Sequence, residues 1–450
     1  MKFLHIADVH LGCRRYNVEE RTKDFARAWF DVVTKHAIGN AVDFVIIVGD
    51  FFDRRHVEPQ AMNHAMAGLR QLQEAGIPVV AIEGNHDMRD TGTEHSWLRS
   101  LAYWGYLKLI EPVYDDTGNI KLNAWDDTEC KGAYVDIAGA RIFGSNWYGA
   151  SAQNAIPLLA DALRDARDAN LFNILLLHTD VEGQLNRPVI TAIPVAKLKE
   201  LQKTVDYLAL GHTHKRFELD NWAFNPGSLE ACSIDEYREE RGAFLVEVDE
   251  QKQITATLCR DYQQRHFDRL AYDVSGKVDA EAVYEGVLET VERDFKRQNN
   301  DHAPIVEMTL RGHLGFKNSL LPLKKMREEI RERTGALHVH IRNHSVPIEY
   351  AVSAGLDEQA PRQQRERHII EGLVMQDNRF KNRAADMAEL IIEVKKMSLM
   401  HEDKGENRAR ADKIYELIEQ KLVAVTNDTT ETPAQLALER NAGATAEARA

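Results

Sequence analysis

The chain has 450 residues, of which 44% are hydrophobic and 28% are charged, and its formal net charge is −14. This length can bury the cores of two or three domains, which excludes a short peptide or a single small binding module. No stretch of sequence approaches the roughly 20 apolar residues that a membrane span needs. The first apolar run ends at Asp8, which is too early for a secretory signal, so a cytoplasmic protein is expected.

The net charge and the cysteines restrict the chemistry further. An acidic chain does not coat nucleic acid with its whole surface, so any DNA contact has to be local. The cysteines are far apart in sequence and form no CxxC pair, which predicts reduced structural thiols and neither a thiolate zinc site nor a disulfide framework. They are Cys13, Cys130, Cys232 and Cys259.

Short apolar runs alternate with amphipathic helical stretches through residue 265. The runs are rich in Val, Ile and Leu and end abruptly in polar residues, as buried strands do. Five of them cover residues 3–7, 44–48, 78–82, 173–177 and 207–210. Apolar residues at helical spacing lie between them. Residues 1–265 are therefore predicted to form a layered α/β domain.

The remainder of the chain shows four further segments. Residues 266–345 alternate strand and helix patterns and predict a small β-α-β-α-β domain. Residues 346–378 are polar and are interpreted as a linker or a loosely held helix. Residues 379–425 predict a helix-loop-helix, and residues 426–450, rich in Thr, Ala and Glu, predict a disordered tail.

Each helix of the predicted helix-loop-helix carries a narrow apolar stripe. The stripes consist of Met387, Leu390, Ile391 and Val394 on the first helix and Ile414, Leu417 and Leu422 on the second. Such stripes have to be buried against something. Two interpretations stay open, namely packing on the chain itself and docking of a partner helix.

Side chains that can ligate metal ions follow all five apolar runs. The seven candidates are Asp8, His10, Asp50, Asn85, His178, His212 and His214. Carboxyl ends of strands open onto the crevice where ligands bind in α/β folds. Seven ligands are too many for one tetrahedral ion, but they suit two ions ~3.5 to 4 Å apart with one carboxylate, most naturally Asp50, bridging them. Mixed imidazole and oxygen donors favour manganese, iron or zinc. Such a pair is suited to phosphoester hydrolysis.

These residues form the motifs DxH, GDxxD, GNHD, H and GHxH in order, and the sequence thereby resembles the calcineurin-like metallophosphoesterases over its first 230 residues. The resemblance implies an αββα sandwich. It implies one ion held by Asp8, His10, Asp50 and His214, and a second held by Asp50, Asn85, His178 and His212. His86 would be no ligand, but would touch the scissile phosphate and assist the leaving oxygen. Asp53 would orient His86, with a simple loop cap as the alternative.

Within that superfamily, the segments DVHLG, GDFFD, GNHD and NPGSLE are similar to the SbcD-type nucleases, bacterial counterparts of the double-strand-break-repair nuclease of archaea and eukaryotes. The resemblance implies two Mn²⁺ ions, a DNA-capping domain at residues 266–345 and an SbcC-like ABC-type ATPase bound to the distal helices. It also implies a homodimer, for which the helix around Met62 to Leu72 is a candidate face. Archaeal and eukaryotic relatives have a histidine in place of Asp53, and His56 could act instead.

Seven basic residues lie close in sequence to the ligand motifs, and we expect them to contact DNA phosphates. They are Arg14, Arg15, Arg54, Arg55, Arg89, Lys215 and Arg216. Solvated surface side chains are the alternative. The function predicted is a metal-dependent exonuclease and single-strand endonuclease in DNA repair. A phosphatase or small-molecule phosphodiesterase, and a non-catalytic scaffold of the ATPase, are the alternatives.

Overall fold

A computed structural model describes residues 1–89, 93, 95–184, 192–296, 302–346, 361–375, 380–399, 413–419 and 421. Leu422, the predicted tail and much of the predicted linker lie outside these residues. The chain divides into two compact units. The first comprises residues 1–270, 291–308 and 327–341, and the second comprises residues 271–290, 309–326 and 342–450. The domain boundaries drawn from the sequence stay a prediction.

The strands are β1 (Lys2–Ile6), β2 (Phe44–Val48), β3 (Val79–Ile82), β4 (Lys108–Leu109), β5 (Val113–Tyr114), β6 (Ile120–Lys121), β7 (Tyr134–Ile137), β8 (Ala140–Phe143), β9 (Phe172–His178), β10 (Tyr207–Gly211), β11 (Phe217–Leu219), β12 (Ala223–Asn225), β13 (Ala243–Val248), β14 (Ile254–Cys259), β15 (Phe267–Asp273), β16 (Ile305–Arg311) and β17 (His338–Asn343). The helices are α1 (Glu20–Val32), α2 (Pro59–Glu74), α3 (Trp97–Tyr103), α4 (Ala152–Ala166), α5 (Val195–Leu198), α6 (Ala280–Asp294), α7 (Leu323–Thr334), α8 (Arg362–Val374) and α9 (Ala384–Leu399).

Two six-stranded sheets form the centre of the first unit. One has the order β14-β13-β1-β2-β3-β4, and the other has the order β11-β12-β10-β9-β8-β7. Strands β1, β2, β3 and β4 run parallel, as do β12, β10, β9 and β8. The five apolar runs predicted as strands are β1, β2, β3, β9 and β10. Because the first three belong to one sheet and the last two to the other, the site formed at their ends draws on both sheets.

Aromatic rings fill the space between the sheets. The rings of Phe3 and Phe44 stack at 5.0 Å in one sheet, and those of Tyr207 and Phe224 stack at 4.8 Å in the other. The edge of one stack meets the other, since the Phe3 and Tyr207 rings lie 5.3 Å apart and nearly perpendicular. This geometry is favourable for aromatic pairs. The sheets therefore share one continuous apolar core.

Helices cover the outer face of each sheet. Trp29 of α1 and Leu69 of α2 pack into the core on the first sheet, and Ile156 and Leu159 of α4 do so on the second. The layers are thus helix, sheet, sheet and helix, which confirms the predicted αββα sandwich. No helix among the described residues is both long and apolar enough to pass through a membrane.

The later elements occur in the order β15-α6-β16-α7-β17, which agrees with the predicted β-α-β-α-β pattern. In the second unit, helix α8 occupies part of the predicted linker and packs against α9, and Glu366 of α8 pairs with Lys395 of α9. The distal helices thus begin earlier in the chain than the apolar stripes indicate. Residues 413–419 are also helical.

Gly68 provides a test of the packing of α1 on α2. A Cβ added at Gly68 would lie 2.3 Å from Nε1 of Trp29, which is far too close. Alanine usually stabilises a helix by about 1 kcal/mol relative to glycine. Here we expect Gly68→Ala to lower the free energy of unfolding instead, by about 1 to 3 kcal/mol, because the two helices must move apart.

Denaturant unfolding of the variant measures this change. Gly372→Ala in α8 is the control, since nothing lies within 4 Å of the added Cβ. It should be neutral or stabilising by up to about 1 kcal/mol. A Gly68→Ala protein as stable as the wild type would contradict the close contact.

Candidate metal centre

The backbone at the strand ends turns in an unusual way. Asp8, His10, Asp50 and His212 all have positive φ, at 52°, 50°, 51° and 88°. Positive φ is uncommon outside glycine and concentrates at functional sites. The two loops that carry the first three are joined by backbone hydrogen bonds, since His10 N donates to Asp50 O at 3.0 Å and Asp8 N to Gly49 O at 3.2 Å. These turns bring the polar side chains of Asp8, His10 and Asp50 close together at the carboxyl ends of the strands.

The carboxylate of Asp50 lies in the middle of the site and is almost completely buried. Its Oδ2 is 3.3 Å from Nε2 of His178 and 3.9 Å from Nε2 of both His10 and His86. Two groups of potential ligand atoms, each within 4.8 Å of one another, share this residue. They are His10, Asp50 and His86, and Asp50, His178 and His212. This is the position that a bridging carboxylate requires.

The other predicted ligands surround Asp50. Nε2 of His214 is 3.0 Å from Nε2 of His10 and 3.9 Å from Oδ1 of Asp8. Oδ1 of Asn85 is buried and has no hydrogen-bond partner. Since buried polar atoms are nearly always hydrogen bonded, this orphaned oxygen fits a metal ligand. The structure thus brings all seven predicted ligands together, and their assignment to two ions stays a prediction.

Side chains absent from the sequence prediction orient the histidines. Nδ1 of His214 lies 3.3 Å from Oε2 of Glu236, and Nε2 of His212 lies 3.3 Å from Oδ2 of Asp180. Nδ1 of His178 donates to the carbonyl of Val48 at 2.8 Å. Such outer contacts fix the tautomer and direction of ligating imidazoles. Asp180 follows β9 closely enough to be inferred, but Glu236 comes from a loop without any pattern.

The charges in the site shift its pKa values. Burial alone would raise the pKa of Asp50, but His178 and the other histidines hold it well below its usual range. Burial opposes charge on His178 and His214 as well, yet Asp50 and Glu236 respectively raise their pKa values to about 9. Because only a neutral imidazole ligates a metal, cation binding must displace these protons. Cation affinity therefore falls as the pH decreases below this range.

Asp87 ties the second and third ligand loops together. Its carboxylate accepts hydrogen bonds from the backbone N–H groups of Phe51, Phe52 and Gly84, at 3.0, 2.9 and 3.2 Å. Burial, and then the neighbouring charge of Asp50, raise the pKa of Asp87 to about 7. The last residue of the GNHD motif is thus a support of the loops rather than a ligand.

His86 is the predicted catalytic residue and is 39% exposed at the side chain. Its Nδ1 donates to the carbonyl of Asp53 at 2.6 Å, which leaves Nε2 directed toward Asp50 and the opening. The carboxylate of Asp53 lies 3.5 Å from Nδ1 of His10 instead. Asp53 therefore contacts His86 through its backbone carbonyl, whereas the sequence left open whether the side chain orients His86 or caps the loop. His56 is exposed and lines a neighbouring cavity.

A cleft of about 630 Å³ opens above the ligands. Four of the predicted DNA-binding residues line it, namely Arg14, Arg15, Arg54 and Arg55. Lys215 instead pairs with Glu239 at 3.5 Å, and Arg216 pairs with Glu218 at 2.7 Å. Arg89 is exposed and is not among the lining residues. The positive rim is thus formed by the loops after β1 and β2, and it is partly neutralised, since Arg14 pairs with Glu19 at 2.9 Å and Arg54 with Asp53 at 3.5 Å.

Comparison with known proteins identifies the first half of the chain. Residues 1–216 match the profile of the family described as Calcineurin-like phosphoesterase. This region is a calcineurin-like phosphoesterase domain. The match ends two residues after His214, so the phosphoesterase domain holds every predicted metal ligand, whereas Cys232 and Glu236 lie beyond the matched region.

Curated relatives are similar over a longer part of the chain. The chain is 34% identical over 253 residues to the DNA double-strand break repair protein Mre11 of Archaeoglobus fulgidus, covering 53% of this chain and 54% of that protein. It is 26% identical over 335 residues to the Mre11 of Sulfolobus acidocaldarius, with 72% and 78% covered. The Mre11 of Aeropyrum pernix is 29% identical over 244 residues, with 52% and 55% covered. The chain thus spans about half the length of the first and third relatives. These matches agree with the resemblance drawn from the motifs.

Asp50→Asn tests the shared position of this carboxylate in the phosphoesterase domain. The change removes one negative charge from both groups of ligands, and ligand charge sets metal affinity. We expect the variant to hold fewer than two Mn²⁺ ions per chain, as measured by equilibrium dialysis and metal analysis.

Asp161→Asn is the matched control, because Asp161 is an exposed carboxylate on α4. It should bind Mn²⁺ as the wild type does. Two tightly bound ions in Asp50→Asn would contradict a bridging role for Asp50.

Proposed function

We propose that the protein is a metal-dependent DNA nuclease, the nuclease subunit of an SbcCD-like complex in double-strand break repair. It would act as an exonuclease on DNA ends and as an endonuclease on single strands. The observation that carries the proposal is the buried Asp50 shared by two groups of ligands, beneath a cleft lined by four arginines. The relatives, named as DNA double-strand break repair proteins, support the same substrate.

The predicted ligands fit two divalent cations, and their mixed nitrogen and oxygen donors favour Mn²⁺. When bound, such a pair clamps a phosphate and supplies hydroxide at neutral pH. Protonation of the leaving oxygen falls to a side chain of the protein itself. Since Nδ1–H of His86 donates to the carbonyl of Asp53, Nε2 faces the cleft, and in the imidazolium form its N–H can give a proton to the leaving oxygen, which leaves a neutral imidazole protonated at Nδ1.

The cleft lining also suits a nucleic acid strand. Guanidinium groups of Arg14, Arg15, Arg54 and Arg55 can contact backbone phosphates on either side of the cleaved bond. Tyr16 lies in the same lining, and its ring stacks on His338 at 4.9 Å. A phenol beside arginines offers a surface for a base. This combination favours a polynucleotide over a small phosphate ester.

Two assays separate this function from its alternatives. The full chain, incubated with Mn²⁺ and end-labelled duplex or single-stranded DNA, should degrade the DNA, and a chelator should stop the reaction. Hydrolysis of para-nitrophenyl phosphoesters without cleavage of DNA would instead select the phosphatase or small-molecule phosphodiesterase. Binding of Mn²⁺ with activity on neither substrate would select the scaffold.

His86→Ala tests the proposed proton donor. Loss of a positioned acid slows catalysis by about 10²- to 10⁴-fold. We expect DNA cleavage to slow by this factor while Mn²⁺ and DNA binding remain at the wild-type level, as measured by dialysis and fluorescence anisotropy.

The control is His56→Ala, which removes the exposed histidine of the adjacent cavity. It should cleave DNA at nearly the wild-type rate. Loss of an ion from His86→Ala would show that His86 is a ligand, and strong loss of activity in His56→Ala would transfer the supporting role to that residue.

We propose that the distal helices bind the SbcC-like ATPase. Leu390 is buried and faces the chain itself, and Met387 and Val394 of α9 are half-buried, as are Ile414 and Leu417. Ile391, however, is 41% exposed, and Ile369 and Leu373 of α8 are 48% and 45% exposed. Packing on the chain itself thus accounts for part of the stripe, and docking of a partner helix stays a proposal for the exposed residues. The exposed side chains remain available to a partner helix.

Ile391→Asp tests this docking surface. An aspartate in a buried helix interface is strongly unfavourable, so we expect the variant to lose copurification with the ATPase. Its Mn²⁺-dependent activity and melting temperature should not change, because Ile391 is exposed on the isolated chain.

Glu393→Ala, an exposed change on the same helix, should preserve the complex. If Ile391→Asp still copurifies with the ATPase, this face of α9 is not the docking site.

We propose that the protein forms a homodimer through the helices that cover the first sheet. The apolar side chains between Met62 and Leu72 are buried in the chain's own core, so a dimer through α2 would use the opposite face of that helix. Ala67 and His64 lie there, beside Phe30 of α1, which is 41% exposed. We also propose that the protein is cytoplasmic.

A further inference from the structure

The thiol of Cys232 lies beside two of the predicted metal ligands. Its Sγ and one nitrogen each of His10 and His214 are all within 4.8 Å of one another. The two Nε2 atoms are 3.0 Å apart. In a tetrahedral zinc site with bonds of about 2.0 to 2.3 Å, neighbouring ligand atoms are separated by about 3.3 to 3.6 Å. Only small side-chain movements are needed to close these three atoms around one ion.

The surroundings hold both imidazoles in the orientation that such an ion requires. Nδ1 of His214 faces Oε2 of Glu236 at 3.3 Å, and Nδ1 of His10 faces Oδ1 of Asp53 at 3.5 Å. Carboxylates in this position are the usual outer partners of zinc-bound histidines. Glu236 also accepts a hydrogen bond from the backbone N–H of Cys232 at 3.0 Å. One carboxylate therefore positions a histidine and the cysteine together.

A second thiol lies in the same cleft. Cys13 and Cys232 both line the cleft with His10 and His214. Sequence spacing does not indicate that these two thiols share a cleft, because the cysteines come from loops more than 200 residues apart. Both are free thiols, in agreement with the expected reduced state. Cys130 and Cys259 show no such neighbours among the described residues that could bind metal.

We propose that Cys232 gives the cleft a thiolate metal site, in which His10, His214 and Cys232 bind a thiophilic divalent cation of the zinc class. Thiolate ligands select zinc over manganese, which prefers oxygen donors. Upon binding, the thiol releases its proton to solvent and the sulfur coordinates the ion. Since His10 and His214 belong to the predicted dinuclear centre, zinc bound here displaces Mn²⁺. This last consequence rests on the proposed function, whereas the thiolate site itself does not.

Cobalt is the probe, because Co²⁺ occupies zinc sites and shows an absorption band when sulfur is a ligand. The full chain is freed of metal, kept reduced with a phosphine and titrated with Co²⁺. We expect a sulfur-to-cobalt charge-transfer band that saturates at one equivalent and disappears when Zn²⁺ is added. Absence of this band from the wild-type chain would overturn the proposal, whether or not the protein cleaves DNA.

The variant Cys232→Ser identifies the sulfur, and Cys130→Ser is the matched control. The first should lose the band and bind Zn²⁺ at least about 10-fold more weakly, since even outer partners of a metal site contribute 10- to 100-fold. The second should retain both properties. A band that survives in Cys232→Ser would overturn the assignment. The ¹¹³Cd resonance of the wild-type chain gives a reading independent of variant folding, because a sulfur ligand shifts it far from that of an oxygen and nitrogen site.

The outcomes separate this inference from the proposed nuclease. DNA cleavage with Mn²⁺ in a chain that shows no sulfur band would contradict the thiolate site and leave the nuclease intact. A sulfur band in a chain that does not cleave DNA would support the thiolate site and contradict the nuclease. If both hold, Zn²⁺ should inhibit Mn²⁺-dependent cleavage in the wild type, and Cys232→Ser should need at least about 10-fold more Zn²⁺ for the same inhibition.

Discussion

A buried carboxylate at the junction of two sheets determines much of this structure. Removing the charge of Asp50 from water costs several kcal/mol unless nearby groups compensate. Compensation comes from His178 of the second sheet, from His10, and from the backbone N–H of His86, which donates to Asp50 Oδ1 at 2.9 Å. The crowding also explains a glycine of the GNHD motif, since a Cβ at Gly84 would lie 2.1 Å from the same oxygen. The glycine of this motif is therefore explained by its close packing against Asp50, and the asparagine by its predicted role as a ligand.

The sequence predicted which side chains meet at the strand ends because regular elements carry them. Strand ends place residues reliably, and Asp8, Asp50 and His178 are found where the apolar runs stop. Residues supplied by irregular loops were missed, as Glu236 and Cys232 show. Periodicity describes helices and strands but contains no information about which two loops meet in space. The same limit explains Asp53, whose carbonyl rather than carboxylate meets His86.

The distal helices show a different limit of sequence reasoning. An apolar stripe indicates that a helix face is covered, but not by what. In the structure, neighbouring residues of one stripe have opposite environments, with Leu390 buried and Ile391 exposed. The sequence of α8 is mostly polar and predicts a linker or a loosely held helix, and the structure shows a helix that packs against α9. Tertiary contacts, including the pair formed by Glu366 and Lys395, support a helix whose own pattern is weak.

The distribution of the ligands along the chain has a consequence for biosynthesis. Asp8, His10, Asp50 and Asn85 follow strands of the first sheet, whereas His178 ends β9 and His212 and His214 follow β10 in the second, and about 90 residues of chain separate the two sets. A ribosome must release more than 200 residues before the last ligand can join the first. Contacts so distant in sequence form late and slowly. An ion that binds only the assembled sandwich would stabilise it by mass action. Cations would therefore stabilise the completely folded protein and none of the shorter intermediates that precede it during synthesis.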